Sequence, residues 1–238
     1  MSAVVRRESF AVHALRRPQR ILYASDLHLG LPWTKATPST LLRTVAQAAP
    51  DLVLLGGDII DNRRGLDQAR DLVAALGRLA PVLAVAGNHD ARFGVEELRR
   101  RVLAGSGHWL HDRPFVLAPR DDEAPIQVAA GATESPSETF ALRIACLHDP
   151  AESAAVARRG YGLAFAGHLH GGQCVLFEHR GRFYPGALFN RWTGPTFQVA
   201  AMRLFVSRGL GDTLPLRWNC PREVIVCDLA PTTRAFAN

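Results

Sequence analysis

The sequence predicts an α/β fold in which a parallel sheet alternating with helices is followed by a second, mixed sheet packed on the first. Three observations carry this expectation. Short apolar runs alternate with segments of helical apolar spacing over residues 20–104, the signature of consecutive β-α units. From His108 onward apolar runs continue, but only Pro150 to Arg159 has helical spacing. Five of the runs, spread over both halves, end in Asp, Asn, His or Gly, which places polar residues at the strand ends, where open α/β sheets hold their ligands. With 238 residues and 47% hydrophobic side chains, the chain suits one domain around a single core. We divide it into a lead-in at 1–19, one domain at 20–230 and a tail at 231–238.

Taken in order, residues 1–19 are polar, with a short strand at 9–15. A strand at 20–25 delivers Asp26 and His28. Pro38-Ser39-Thr40 opens a helix that runs to Ala49 and stops at Pro50. The strand at 52–55 delivers Asp58, and the spacing of Leu72, Val73, Leu76 and Leu79 predicts a helix over 67–79. The strand at 82–86 delivers Asn88 and His89, and a basic amphipathic helix over 95–103 ends at Gly105. Strands are expected at 108–117, 125–130, 142–147, 162–166, 173–177, 182–184, 202–206 and 223–228. The Pro-, Ser- and acid-rich segment 119–139 reads as a mobile surface hairpin with an apolar middle at 126–130.

The net charge of +6 rests on 27 Arg and one Lys, scattered except for Arg99-Arg100-Arg101. A dispersed excess of this kind reads as a solvated surface, so nucleic-acid binding stays open without being favoured. The four cysteines form no Cys-x-x-Cys pair, which fits buried thiols in a reducing compartment. No apolar run reaches the roughly 18 residues of a membrane span, and none of signal-peptide length follows Arg6-Arg7 or Arg16-Arg17. The expectation is a soluble, cytoplasmic protein.

The chemistry concentrates in Asp26-Leu27-His28, Gly57-Asp58, Gly87-Asn88-His89-Asp90, His148 and Gly167-His168-Leu169-His170-Gly171-Gly172. Residues i and i+2 of an extended chain point the same way, so Asp26 and His28 can grip one ion, with His170 returning to it. A carboxylate can bridge two ions, and Asp58 is the natural bridge. Asn88, His148 and His168 complete a second ion. An all-nitrogen and oxygen donor set without thiolate suits two transition-metal ions such as Mn, Fe or Zn, and so many imidazoles suit Mg poorly.

Five such motifs in this order resemble the calcineurin-like metallophosphoesterase family, over about Ile21 to Leu229. Within it, Ser25-Asp26-Leu27-His28-Leu29-Gly30, the Gly-Gly-Gln after His170 and Val206-Ser207-Arg208-Gly209-Leu210-Gly211 look most like the bacterial branch of YaeI- and YkuE-type phosphodiesterases. The resemblance implies a four-layer αββα sandwich, with two mixed sheets flanked by helices and a dinuclear metal site at the strand C-terminal ends. It implies hydrolysis of a phosphoric ester by a hydroxide bridging two ions, with a phosphodiester preferred. His89 is assigned as the acid that protonates the leaving alkoxide or as a donor to the phosphate, and Asp90 as the residue that orients it. The alternatives are a nuclease or phosphomonoesterase on the same site, or a non-catalytic metal-binding interaction module.

Other residues carry weaker readings. Arg92 and Arg208 are expected to bind substrate phosphate, with Arg63 and Arg64 behind them. Cys146 and Cys174 read as core or loop thiols near the metals. The aromatic run Phe183 to Trp192 reads as core packing first, and second as a pocket for a lipid tail or base or a peripheral membrane contact. The substrate is thus a small-molecule or lipid phosphoester.

Overall fold

A computed structural model describes residues 3–13, 15–117, 124–131 and 139–232. The first half forms β1 (Val4–Val12), β2 (Gln19–Ala24), α1 (Thr37–Ala48), β3 (Leu52–Gly56), α2 (Gly65–Gly77), β4 (Val82–Val85), α3 (Asn88–Phe93), α4 (Val95–Ala104) and β5 (His108–Trp109). The second half forms β6 (Phe115–Leu117), β7 (Ile126–Ala130), β8 (Leu142–Cys146), α5 (Ser153–Arg158), β9 (Leu163–Ala166), β10 (Val175–His179), β11 (Arg182–Pro185), β12 (Thr196–Val199), β13 (Met202–Val206) and β14 (Glu223–Pro231).

Two six-stranded sheets result. The first has the order β1-β14-β2-β3-β4-β5, and the second β12-β13-β9-β8-β7-β6. Both are mixed: β2 to β5 run parallel while β14 opposes β2, and β13, β9, β8 and β7 run parallel while β12 and β6 oppose their neighbours. The strands β3, β4 and β9 carry no polar side chain because both faces are covered. Alternate residues then sort into layers. Leu22, Ala24, Val53, Leu55, Val82 and Ala84 face the helices α1, α2 and α4. Their neighbours Ile21, Tyr23, Leu52, Leu54, Leu83 and Val85 meet Val128, Ile144, Leu163, Phe165 and Phe205 between the sheets. The far face of the second sheet presents Ala129, Ala145, Ala164 and Ala166 to Val156, Tyr161 and Trp192. This is the αββα layering that the motifs imply, with α5, six residues long, as its thin outer layer.

Several expectations need correction. The change of pattern at His108 is not the boundary between sheets, since β5 and β14 both complete the first. The strand placed at 9–15 begins at Val4 and pairs in parallel with β14 through Val12, so the N-terminal segment is an edge of the sheet and not merely a polar lead-in. Of the hairpin expected at 119–139, residues 119–123 and 132–138 lie outside the described residues. Ile126–Ala130 is an internal strand between β6 and β8, buried except at its last residue. Two elements are additional to those expected: α3, which starts on Asn88, and the half-exposed edge strand β12.

Candidate metal centre

The carboxyl ends of β2, β3, β4, β8 and β9 lie at one rim, and the motif loops leave from there. The loops after β2 and β3 stay in register beyond the sheet: the Asp26 N–H donates to Gly57 O at 3.0 Å and the His28 N–H to Asp58 O at 3.0 Å. Asp26, His28, Asp58, His168 and His170 all adopt positive φ, between 47° and 72°. Such a conformation is uncommon for residues other than glycine, and costs of order 1–3 kcal/mol each. It also corrects the reason for one expectation. Asp26 and His28 converge through left-handed turns past the end of β2, not through the alternation of an extended strand.

Glycines make the close approaches possible. A Cβ on Gly87 would stand 2.2 Å from Asp58 Oδ1, and one on Gly167 would stand 2.3 Å from Ser25 Oγ and 2.6 Å from Asp26 Oδ2. Ser25 Oγ donates to Asp26 Oδ2 at 2.5 Å, and the His168 N–H donates to Asp26 Oδ1 at 3.1 Å. The loop bearing the paired histidines is therefore pinned to the loop bearing Asp26.

Three groups of donors form among the described residues, two of them from the expected ligands and a third from His28, Asp61 and His89. Asp26, His28 and His170 bring ligand atoms within 4.8 Å of one another, as do Asp58, His148 and His168. In the first, His28 Nε2 and His170 Nε2 face each other at 3.2 Å, with Asp26 Oδ1 at 3.6 Å from the latter. In the second, His148 Nε2 lies 2.9 Å from Asn88 Oδ1, 3.3 Å from Asp58 Oδ2 and 3.2 Å from His168 Nδ1. The structure thus brings together all seven residues singled out as ligands. His148 Nδ1 lies 3.0 Å from Gly56 O; a proton held there leaves Nε2 free to ligate.

Electrostatics favour positive charge at this place. Burial opposes ionisation of Asp58, but His148 and the backbone N–H of His89 outweigh it and hold the carboxyl at about 2. Burial likewise opposes a charge on His148, yet Asp58 and Asp26 push it up to about 9. The pair retains a proton where the donor set would hold a cation, so the residues fit a metal. His28 is lowered to about 4 by burial, despite Asp26, with His170 adding to the effect. Burial lowers His170 as well, against Asp26 and together with Arg217.

A pocket of about 180 Å³ opens over the site, lined by Asp58, Asn88, His89, His168 and His170 and, on its far wall, by Gln173, Thr213 and Leu214. His89 reaches it with its Nδ1 on Asp61 Oδ1 at 2.5 Å and its N–H on Asp58 Oδ1 at 2.8 Å. Asp61, not Asp90, is therefore what holds the imidazole. Asp90 is fully buried and accepts from the N–H groups of Ile59, Ile60 and Gly87 at 2.8–3.2 Å. It fixes the Asp58 loop, and burial pushes it up to about 7 against those three donors.

The two arginines expected at substrate stand elsewhere. Arg208 is turned onto the buried Glu223, with Nε and Nη2 at 2.7 and 2.6 Å from Oε2. Arg92 is exposed on α3 and does not line the pocket. Arg217 takes a place that no motif marked: its Nη2 lies 3.2 Å from His170 Nδ1 and its Nε 2.5 Å from the buried Asp212. Spacing was a usable signal for Asp61, three residues after Asp58, whereas Arg217 and Asp212 sit in irregular chain far along the sequence. Cys146 and Cys227 are buried, with burial raising both thiols, and Cys220 is buried too, but Cys174 is exposed. All four are unpaired. Phe183 and Trp192 are core, as expected for that run, while Leu188 and Phe189 are exposed.

A family model described as calcineurin-like phosphoesterase matches residues 19–172, the span that contains every one of these ligand positions. The chain belongs to this family. Among curated relatives it is similar to phosphodiesterase YaeI of Escherichia coli, 27% identical over 227 residues that cover 89% of this chain and 82% of that one. It is also similar to the metallophosphoesterase YkuE of Bacillus subtilis, at 28% over 229 residues covering 90% and 79%. A metallophosphoesterase of Aquifex aeolicus is 26% identical over 241 residues, covering 93% and 90%. Among the described residues, no helix is long and apolar enough to cross a membrane.

Proposed function

We propose that the protein is a metal-dependent hydrolase of phosphodiesters. The observation that carries this reading is the arrangement of the two donor groups side by side, with His89 and its Asp61 partner at the mouth of the same pocket. Asp26, His28 and His170 would hold one cation and Asn88, His148 and His168 the other, with Asp58 between the two groups. Cations bound there would acidify water and neutralise charge on phosphoryl oxygens. His89 presents Nε2 to the departing oxygen, because Asp61 occupies Nδ1 and fixes both tautomer and ring orientation. Asp90 keeps the Asp58 loop in place, and Gln173, Thr213 and Leu214 bound the space left for the ester. Similarity to a phosphodiesterase supports the diester over the monoester. Four unpaired cysteines accord with action in the cytoplasm.

The test is hydrolysis of bis-p-nitrophenyl phosphate and p-nitrophenyl phosphate by protein reconstituted with Mn, Fe or Zn, with and without chelator, and by His89→Asn. The expected result is chelator-sensitive cleavage that favours the diester and falls in the variant. Cleavage of neither ester with any of the metals overturns the reading in favour of a non-catalytic binding module.

A further inference from the structure

The segments beside the pocket-lining Gln173 form a rim that exposes large apolar side chains. Leu176 and Phe177 on β10 are 63% and 55% exposed, Leu188 and Phe189 in the turn after β11 are 72% and 88% exposed, and Leu216 and Trp218 are 72% and 68% exposed. Isolated exposed apolar residues are ordinary, but a concentration of large ones in one region marks a contact surface.

These three pairs converge on one stretch of chain, the one that carries His170. Residues 176 and 177 follow it directly. The Trp218 N–H donates to Gln173 O at 2.9 Å and the Val175 N–H to Trp218 O at 2.9 Å, which ties the third pair beside it. A Cβ on Gly172 would meet Gly186 Cα at 3.4 Å, so the turn bearing Leu188 packs there as well. Gln173 Nε2 donates to the carbonyl of Leu214, which itself lines the pocket. The apolar rim and the metal centre therefore share one support.

The charge along the rim is net positive. From residue 171 to 200 the chain holds Arg180, Arg182 and Arg191 against a single acid, Glu178. Arg180 and Arg191 are exposed. Apolar side chains carried on a hairpin and turns, with aromatic residues and arginines among them, match an interface in which rings lie at headgroup depth and guanidinium groups reach anionic phosphates.

We propose that this rim is a docking surface for an anionic lipid bilayer, which seats the pocket at the headgroup layer. Its consequence for catalysis, that the natural ester is presented from a membrane, rests on the hydrolase reading above; the docking itself does not.

The test is co-sedimentation of the full-length protein with vesicles of phosphatidylcholine and phosphatidylglycerol at two to one, and with phosphatidylcholine alone. The expected result is binding to the anionic vesicles, several-fold weaker binding to the neutral ones, and a blue shift of tryptophan emission that Trp218→Phe reduces. A Leu188→Glu, Phe189→Glu double variant is expected to lose roughly tenfold or more in partitioning while its thermal unfolding and its hydrolysis of soluble bis-p-nitrophenyl phosphate match wild type. The proposal is overturned by absent binding to anionic vesicles, by equal binding to both, or by a double variant that partitions like wild type. It is also overturned by a wild-type dimer in gel filtration that the double variant converts to monomer, because a second copy then covers the rim. A wild type that binds vesicles but cleaves no phosphoester removes the catalytic reading and leaves the docking surface standing.

Discussion

Asp61→Asn preserves the shape of the side chain that meets His89 Nδ1 at 2.5 Å and removes its charge. A hydrogen bond to a charged partner contributes about 1.5–3 kcal/mol. Asp61 is only 9% exposed, so solvent screens the contact little and the upper half of that range applies. If His89 gives a proton to the departing oxygen, Asp61 holds the donating ring in line with that oxygen, and the loss of this contact appears in kcat. At 1.36 kcal/mol per tenfold, the expected loss is roughly 45- to 160-fold. It must also depend on the leaving group: an alkoxide needs the proton and p-nitrophenolate does not. The assay compares kcat and KM for a dialkyl diester such as glycerophosphocholine with those for bis-p-nitrophenyl phosphate. Metal content is measured alongside, because the same carboxylate oxygen lies 3.9 Å from His28 Nδ1. In Asp61→Asn, His89→Asn together, the loss should match that of His89→Asn alone, since the two residues act as one unit. Equal losses for both leaving groups, or full activity with metals retained, would refute the assignment of His89 as acid.

Four further outcomes follow from other contacts. A cation must displace the proton that Asp58 and Asp26 keep on His148 up to about pH 9, so below that pH metal affinity should rise about tenfold per unit; competition with a chelator between pH 6 and 8 checks this, and a flat profile contradicts it. In the metal-free protein the raised His148 contributes stability that is complete below pH 6.5 and lost as pH rises through about 9, while the depressed Asp58 contributes stability that is complete above pH 3.8 and lost as pH falls through about 2; thermal unfolding against pH should show both flanks, and metal should flatten the alkaline one. Gly87→Ala places a methyl 2.2 Å from Asp58 Oδ1 and should weaken metal binding by roughly 10- to 100-fold with the far-ultraviolet circular dichroism unchanged, whereas wild-type affinity would mean that the loop yields. Arg208→Ala should leave KM unaltered and destabilise the fold by about 2–4 kcal/mol in urea titration, because it strips the buried Glu223 of its nearer partner while Arg6 stays 3.5 Å away; a raised KM at unchanged stability would restore Arg208 to the phosphate.

The layers were legible wherever a strand is covered on both faces. Leu52 to Leu55 and Val82 to Val85 can be little else than central strands, and the helix that follows each of them fixes the parallel order. Which sheet a later strand joins was not legible. Glu223 to Pro231 reads the same whether it extends one sheet or the other, because its choice depends on the pairing of Ile225 with Tyr23 and Val226 with Leu22, a contact across some 200 residues that no local pattern encodes. The edge strands blurred for the opposite reason: β12 is four residues long and none of its positions is buried.

The candidate ligands were legible because a metal demands particular atoms, and few side chains offer them. The groups that aim those ligands were not, because many side chains can serve and the choice depends on where loops meet. Asp90 shows the difference. It sits beside His89 in the sequence, which suggested that it steers that ring, yet α3 begins at Asn88 and turns the two side chains apart, sending one to the pocket and the other under the loop of Asp58. The positive φ shared by Asp26, His28, Asp58, His168 and His170 has the same origin. A strand ending alone would relax such residues to the ordinary regions of backbone space. They are held by N–H groups donated across loops, among them those of Asp26 to Gly57 O, His28 to Asp58 O and His168 to Asp26 Oδ1. Because each motif supplies the restraint for another, the centre forms only when the rim is complete. A substitution that loosens one loop should therefore lower affinity at both donor groups and not only at its own.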